Sequence, residues 1–477
     1  MSFEVVIGLE VHAELATNTK IFCGCTTRFG GSPNTQTCAV CSGQPGALPV
    51  FNKAVAEHAI TAGLALNCEI SPHNRFDRKN YFYPDLPRAF QLSQLFLPIC
   101  KNGHLDIETD EGTKRIGITQ IHMEEDAGKL IHDTNAQRTY VDYNRCGTPL
   151  IEIVSAPDLR GADETIAYLE KLREILLYLG VCDCKMQEGS LRADVNLSVR
   201  PMGSTKYGVR VEMKNMNSLK AIHRAIAYES QRQIDLLEEG RADELIQQTR
   251  RWDDEKGVSL GMRSKENAQD YRYFPEPDLM PLEISSEWIE RVRAAMPETA
   301  AAKRERYAGL GLAPADAAML TTAKPLSDLF EQAAELCGKP KETANMILGG
   351  VMRLMNDTAT PADDLVLAPK KLAELITLIE DGTVNRNAGK AALEALWETG
   401  ADPRAYIEEQ GLAMTRDTGL IEECVDKALA ANPKSVDDFK AGKEKAFGFL
   451  VGQAMKELRG KGDPQLVNKL LKEKLEG

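Results

Sequence analysis

The sequence predicts an α+β protein with three parts. A strand-rich N-terminal domain (residues 1–292) is followed by an all-helical domain (293–405) and a small helical tail (406–477). Three observations predict it. Before Leu282, several runs alternate apolar and polar residues with the period of two that strands require. Beyond Leu282 the apolar spacing is almost wholly that of amphipathic helices. Imidazole and thiol chemistry also crowds the front: all seven His lie at or before His223, and nine of the eleven Cys at or before Cys184. An active site is therefore expected in the strand-rich domain.

In chain order, Val6–Ala13 alternates first. Val6, Gly8, Glu10 and His12 share one face, and Ile7, Leu9, Val11 and Ala13 the other. Glu10 and His12 are then side-by-side neighbours about 7 Å apart along a strand. Ala54–Leu66 reads as a helix. Arg115–Met123 reads as a strand and runs into Glu124, Glu125 and Asp126. Pro149–Val154 is an apolar run holding Glu152, where a carboxylate is costly unless paired or metal-bound. Ala162–Gly180 reads as a helix. Leu191–Arg200 alternates strictly, with Arg192, Asp194, Asn196, Ser198 and Arg200 on its polar face. Val209–Lys214 repeats the pattern with Arg210, Glu212 and Lys214. Leu219–Gly240 is a long helix stopped by its glycine. Helices follow at Glu287–Met296, Glu298–Leu310, Lys324–Cys337, Lys341–Met355, Lys370–Glu380 and Val384–Thr399, with breaks at Pro314, Pro340, Pro361 and Pro403. The tail has helices at Asp417–Asn432, Ser435–Gly460 and Pro464–Leu475.

Composition excludes several classes. The chain has 477 residues, 58 basic and 71 acidic, for a net charge of −13. Nucleic acid held through bulk positive charge is ruled out, so any such contact needs a local patch. No 18-residue apolar run exists, and the opening MSFEVVIGLEVHAEL lacks a basic leader region, so neither a membrane span nor a signal peptide is expected. A cytoplasmic protein is the expectation. A P-loop and a Rossmann glycine motif are both missing from the sequence.

Cys23-Gly-Cys25 and Cys38-Ala-Val-Cys41 place four thiols within nineteen residues, the ligand count and spacing of a tetrahedral structural Zn²⁺ site. Cys182 and Cys184 have no second pair nearby and read as structural. The acids on the strand faces, with one imidazole beside them, fit a hard cation such as Mg²⁺ or Mn²⁺. Solvated faces of a half-exposed sheet explain a single strand better, but explain Glu152 and the Glu10–His12 pair less well, and spacing alone does not show that the strands converge. His73–Gln91 interleaves Arg75, Arg78, Lys79 and Arg88 with Phe76, Tyr81, Phe82, Tyr83 and Phe90. That suits either nucleic-acid contact or a packed aromatic hairpin. The last segment, Ala441–Gly477, holds eight basic and five acidic residues.

Long motifs then carry a resemblance. IGLEVHAEL (7–15), FDRKNYFYPDLP (76–87), MEEDAGK (123–129), VDYNRCGTPLIEIV (141–154), GSLRADVNLSVR (189–200), EMKNMNS (212–218) and DYRYFPEPDL (270–279) are similar to those of the B subunits of bacterial aspartyl/glutamyl-tRNA amidotransferases. VNRNAGK (384–390) and GQAMKELRGKGDPQLV (452–467) extend the match along essentially the whole chain. The inserted domain of the archaeal glutamate-specific relative is missing.

The resemblance implies a carbon–nitrogen ligase with glutamine as the amide donor. ATP phosphorylates the side-chain carboxylate of a misacylated tRNA(Asn) or tRNA(Gln). Ammonia then displaces the phosphate, delivered through a channel from a partner amidase subunit; a small third subunit joins the two. It implies a cradle-shaped catalytic domain whose Mg²⁺ ligands and catalytic residues are Glu10, His12, Glu125, Glu152, Asp194 and Glu212. The match chooses Glu125 over Glu124, which the alternation does not. Lys79 and Arg192 follow as channel or phosphate contacts, the four Cys as a zinc knuckle, and the tail as a contact to the tRNA body. The residues alone leave two other readings open: a zinc-containing RNA-binding module and a metal-dependent hydrolase that uses no ATP.

Overall fold

The alternating run at the N-terminus becomes a central strand of a nine-stranded sheet. The structure, a computed structural model, describes residues 2–133, 135–264, 270–415, 417–440, 443–458 and 461–476. In chain order the sheet takes β1 (Phe3–Glu14), β2 (Glu69–Ile70), β3 (Cys100–Thr109), β4 (Gly112–Glu125), β5 (Pro149–Ser155), β6 (Leu191–Pro201), β7 (Val211–Lys214), β8 (Gln248–Asp253) and β9 (Val258–Ser264). The spatial order is β9–β8–β7–β6–β1–β5–β4–β3–β2. Neighbours run antiparallel except β7 and β8, which are parallel. The predicted α+β class is thus what folds, strand-rich to residue 283 and helical from residue 286.

Ile7, Leu9, Val11 and Ala13 of β1, with Leu191, Ala193, Val195, Leu197 and Val199 of β6, are buried in one core. Helices α1 (Lys53–Ala65), α2 (Ala162–Tyr178) and α3 (Leu219–Glu238) supply the rest of that core. Each large aliphatic so covered contributes roughly 1.5–3 kcal/mol of transfer free energy. That drive fixes which face of the sheet meets the helices, and it leaves the polar face open. Two of these helices, α1 and α3, start at a capping side chain. Asn52 accepts the Ala54 N–H at 3.0 Å, and Ser218 accepts the Ala221 N–H at 3.1 Å. The end of α3 is set by Gly240 at φ 74°, which lets the Arg241 N–H reach the Leu236 carbonyl at 2.8 Å.

Residues 1–299 form one compact unit and 300–477 a second. The second is helical and holds two separate apolar cores, one between Tyr307 and Ile407 and one between Ile421 and Leu475. At three of the expected proline breaks the proline itself belongs to the next helix. Pro314, Pro340 and Pro403 each open a helix, at Pro314–Leu320, Pro340–Met346 and Pro403–Glu409. A first-turn position needs no N–H donor and welcomes a fixed φ, so proline starts a helix as readily as it ends one. The first and last of these helices are not anticipated by the apolar spacing. The expected Lys341–Met355 helix widens into a π turn over Ile347–Val351, where a Cβ on Gly350 would stand 2.5 Å from Leu393 Cδ2. The expected Ser435–Gly460 helix is two, Pro433–Lys440 and Glu444–Glu457, with Ala441, Gly442, Arg459 and Gly460 outside the described residues. Among the described residues no helix is long and apolar enough to cross a membrane.

A candidate active site on the open face of the sheet

Register converts separate alternations into one site. Across β1 and β6, Glu10 pairs with Asp194 and His12 with Arg192. Across β1 and β5, His12 pairs with Glu152, which pairs in turn with His122 on β4. On the other flank, Asn196 of β6 pairs with Glu212 of β7. Two groups result: Glu10, Asp194 and Glu212, and His12, Glu124 and Glu152, each offering three ligand atoms within 4.8 Å of one another. Both line a cleft of about 1210 Å³, together with Lys79, Tyr81, His122, Asp126, Arg145, Arg192, Lys214, Tyr271 and Tyr273.

Five of the six expected ligands thus come together, and the sixth, Glu125, lies apart from them. Glu124 shares the His122 face of β4 and joins the cluster, whereas Glu125 points to the opposite face. There it pairs with Arg88 and accepts the Leu92 N–H at 2.9 Å. Strand alternation is the physical reason: adjacent residues cannot face the same way. His122 was missed altogether, although its place two residues before Glu124 was the available signal.

Opposite charges hold the cluster together. His12 Nε2 lies 3.5 Å from Glu124 Oε1 and 3.4 Å from Glu152 Oε2, and His122 Nε2 lies 2.8 Å from Glu152 Oε2. Lys214 pairs with both Asp194 and Glu212, standing where three carboxylates would otherwise repel. Asn196 Nδ2 donates to Glu10 Oε1 at 3.0 Å, yet burial and the Glu152 charge raise the Glu10 carboxyl above its ordinary value. Burial opposes charge on His122, but Glu152 and Glu124 outweigh it and push the imidazolium up to about 9. The same imidazoles hold Glu152 well below the usual carboxylate range. A folded-state value above the unfolded one means that His122 stabilises the protein fully below about pH 6.5. That contribution is lost as pH rises through about 9. Metal-free protein should therefore melt at a lower temperature at pH 10 than at pH 7, and thermal melts of His122→Gln should show a smaller drop.

Lys79 faces the cleft with its Nζ 5.2 Å from the Tyr271 ring centre and 5.9 Å from that of Tyr81. Arg192 donates to Asp126 Oδ2 at 2.8 Å, and Asp126 also meets Arg145 at 3.5 Å. Of the other cations in the aromatic segment, Arg78 grips Glu276 through two bonds of 2.7 and 2.9 Å and stacks on Phe90, and Arg88 is taken by Glu125. The segment is an antiparallel hairpin whose Phe76 is buried while Phe82 and Tyr83 stay exposed, and of its cations Lys79 lines the cleft.

The four expected Cys also converge, with their sulfurs within 4.8 Å of one another and Cys38 and Cys41 3.9 Å apart. A tetrahedron with metal–sulfur bonds of about 2.3 Å needs edges of about 3.8 Å, so the donor set fits such a centre. Cys182 and Cys184 are buried and bond locally, as expected of structural thiols.

Residues 5–290 match the GatB/GatE catalytic domain, and residues 328–475 match the GatB domain. The chain belongs to the GatB family. Its relatives named as B subunits of aspartyl/glutamyl-tRNA(Asn/Gln) amidotransferase include that of Lachnoclostridium phytofermentans, 57% identical over 474 residues and 99% of both chains. Those of Caldicellulosiruptor saccharolyticus (54%, 480 residues, all of both chains) and Caldanaerobacter subterraneus (53%, 476 residues, all of both chains) are similar over the same span. As a GatB protein the chain is one component of an amidotransferase, a carbon–nitrogen ligase that takes its amide from glutamine. Both acidic groups and all four clustered Cys fall inside the match to the GatB catalytic domain.

Proposed function

We propose that this chain activates the side-chain carboxylate of Asp-tRNA(Asn), Glu-tRNA(Gln) or both with ATP, and amidates it with ammonia released by a partner amidase subunit. A small linker subunit completes the heterotrimer, which works in the cytoplasm. The single observation that carries this reading is the pair of ligand groups lying side by side on the polar face of the sheet.

A carboxylate is a poor electrophile, so it needs a leaving group. An oxygen of the substrate carboxylate attacks the γ-phosphorus and the bond to ADP breaks. Ammonia then adds at the acyl carbon, phosphate leaves with the carbon–oxygen bonding pair, and the spare proton is lost. An acid-lined cleft repels both triphosphate and substrate, so cations must mediate. The donor set fits Mg²⁺: oxygen ligands within 4.8 Å of one another suit bonds of about 2.1 Å, and His12 adds one imidazole. Glu10, Asp194, Glu212, His12, Glu124 and Glu152 would hold it, and when bound it supplies charge neutralisation at the transferring phosphoryl group. Lys214, displaced from Asp194 and Glu212, has three donors for phosphate oxygens. Lys79 and Arg192 serve as further phosphate or channel contacts.

A second cavity of about 310 Å³ continues the polar face past Glu10, lined by Gly8, Asn196, Ser198, Tyr207 and Arg210 among others. Its hydroxyls, aromatic ring and guanidinium suit the nucleoside end of ATP. The chain works in three parts, a catalytic cradle to residue 299, a helical domain whose core ends at Ile407, and a tail whose core begins at Ile421. The tail, with eight basic and five acidic residues after 440, contacts the tRNA body. The test is the reconstituted complex assayed separately with each misacylated tRNA. ADP should appear only when misacylated tRNA is present. Steady ATP turnover indifferent to tRNA, or hydrolysis without ATP, overturns the reading.

A further inference from the structure

Lys20 has no exposed surface, although a lysine is among the residues most rarely buried whole. Its Nζ faces three acceptors: the Gln36 carbonyl at 2.9 Å, the Tyr143 carbonyl at 3.5 Å and Cys41 Sγ at 3.5 Å. Three acceptors match the three N–H bonds of an ammonium. Among the described residues, no carboxylate lies within ion-pair distance of it. A buried charge without a counter-charge is strongly disfavoured, and the sulfur is the one acceptor of the three able to carry negative charge. Four thiolates around Zn²⁺ leave two negative charges, which burial disfavours in the same way; an ammonium in contact halves that excess.

Lys20 also touches both halves of the cluster. Its backbone N–H donates to the Cys25 carbonyl at 2.9 Å, beside the first cysteine pair, while its side chain reaches Cys41 in the second. The next residue, Ile21, donates to the Gly147 carbonyl at 2.9 Å, and Gly147 donates to the Asp126 carbonyl at 3.0 Å. The same stretch of chain then enters β5 and carries Glu152. Lys20 therefore stands between the sulfur cluster and the backbone that sets the acidic site.

From this geometry we infer that Lys20 is a positioning residue of the four-cysteine centre. It donates a hydrogen bond to the Cys41 thiolate, balances its charge, and fastens the centre to the Tyr143–Gly147 segment. The inference rests on the reading of the four Cys as a zinc site. Hydrogen-bonding partners behind metal ligands typically change metal affinity about 10–100-fold when removed.

The experiment compares the full chain with Lys20→Met. Zinc is counted by elemental analysis, its affinity is measured by competition with a chromogenic chelator, and the sulfur-to-metal charge-transfer band is recorded after Co²⁺ substitution. Lys20→Met should bind Zn²⁺ about 10–100-fold more weakly. Its Co²⁺ band should move to lower energy, because a thiolate without a positive neighbour gives up an electron more easily. Loaded protein should lose more melting temperature than stripped protein. Unchanged affinity and band, or equal losses in the loaded and stripped states, would leave Lys20 a packing residue and overturn the inference. Wild-type protein that binds no zinc overturns the zinc reading and the inference together, whereas zinc-binding wild type with an indifferent Lys20→Met overturns the inference alone. Should Lys20→Met fail to fold, Cys41→Ser is compared with Cys25→Ser. At least tenfold weaker Zn²⁺ binding in Cys41→Ser is expected, and equal binding overturns the inference.

Discussion

Glu152→Gln should abolish tRNA-dependent ATP turnover, a loss of roughly 10³-fold or more, while leaving the fold and tRNA binding largely intact. Glu152 stands in register with His12 on one side and His122 on the other, and its Oε2 lies 3.4 Å and 2.8 Å from their Nε2 atoms. Glutamine keeps the size and one oxygen but removes the charge. The imidazoles lose the partner that orients them, and the His12 group loses its central anionic ligand. ADP release by the reconstituted complex with misacylated tRNA measures the effect, and filter binding of the tRNA serves as the control. Undiminished turnover would sink the assignment of this cluster to the phosphoryl step.

The second large effect separates two adjacent residues. Glu124→Gln should cost activity on a comparable scale and little stability, because Glu124 faces the cleft among the proposed ligands. Glu125→Gln should do the reverse. Its carboxylate is buried with Arg88, and breaking such a pair from one side costs about 3–5 kcal/mol. For a unit of nearly 300 residues that is a fall in melting temperature of several degrees. Calorimetry and ADP release on both variants distinguish them. A Glu125→Gln protein that melts like the wild type yet is inactive would return the ligand role to Glu125.

Much of this site was legible in the sequence because period-two alternation is strict at β1, β6 and β7. It put Glu10 with His12, and Asp194 with its polar neighbours, on single faces. What alternation does not encode is which strands lie side by side. Glu10 and Asn196 bond across 186 residues, and the turn chemistry of neither strand announces the other. Glu124 and Glu125 were indistinguishable for a related reason. The expected strand stopped at Met123, whereas β4 runs on to Glu125 and carries the alternation through both acids. The cysteine cluster was readable because its ligands are close in sequence, so local spacing nearly fixes the geometry. The helical half was legible in its main helices, but not where proline stood, where Lys341–Met355 widens into a π turn, or where Ser435–Gly460 divides. At the prolines one residue type serves both to start and to stop a helix, and spacing alone does not decide.

The position of β1 in the sheet has a consequence for how the chain is made. This strand is synthesised before both of its neighbours: its partners on β5 lie 136–144 residues further on, and those on β6 178–198. At 5–20 residues per second one edge waits roughly 7–30 s for its native partner and the other roughly 9–40 s. Non-local pairing of this kind folds slowly. Chains halted before residue 191 therefore present a bare strand edge and no assembled acidic cluster. They are the species most in need of a chaperone, and the most prone to aggregate when synthesis outruns one.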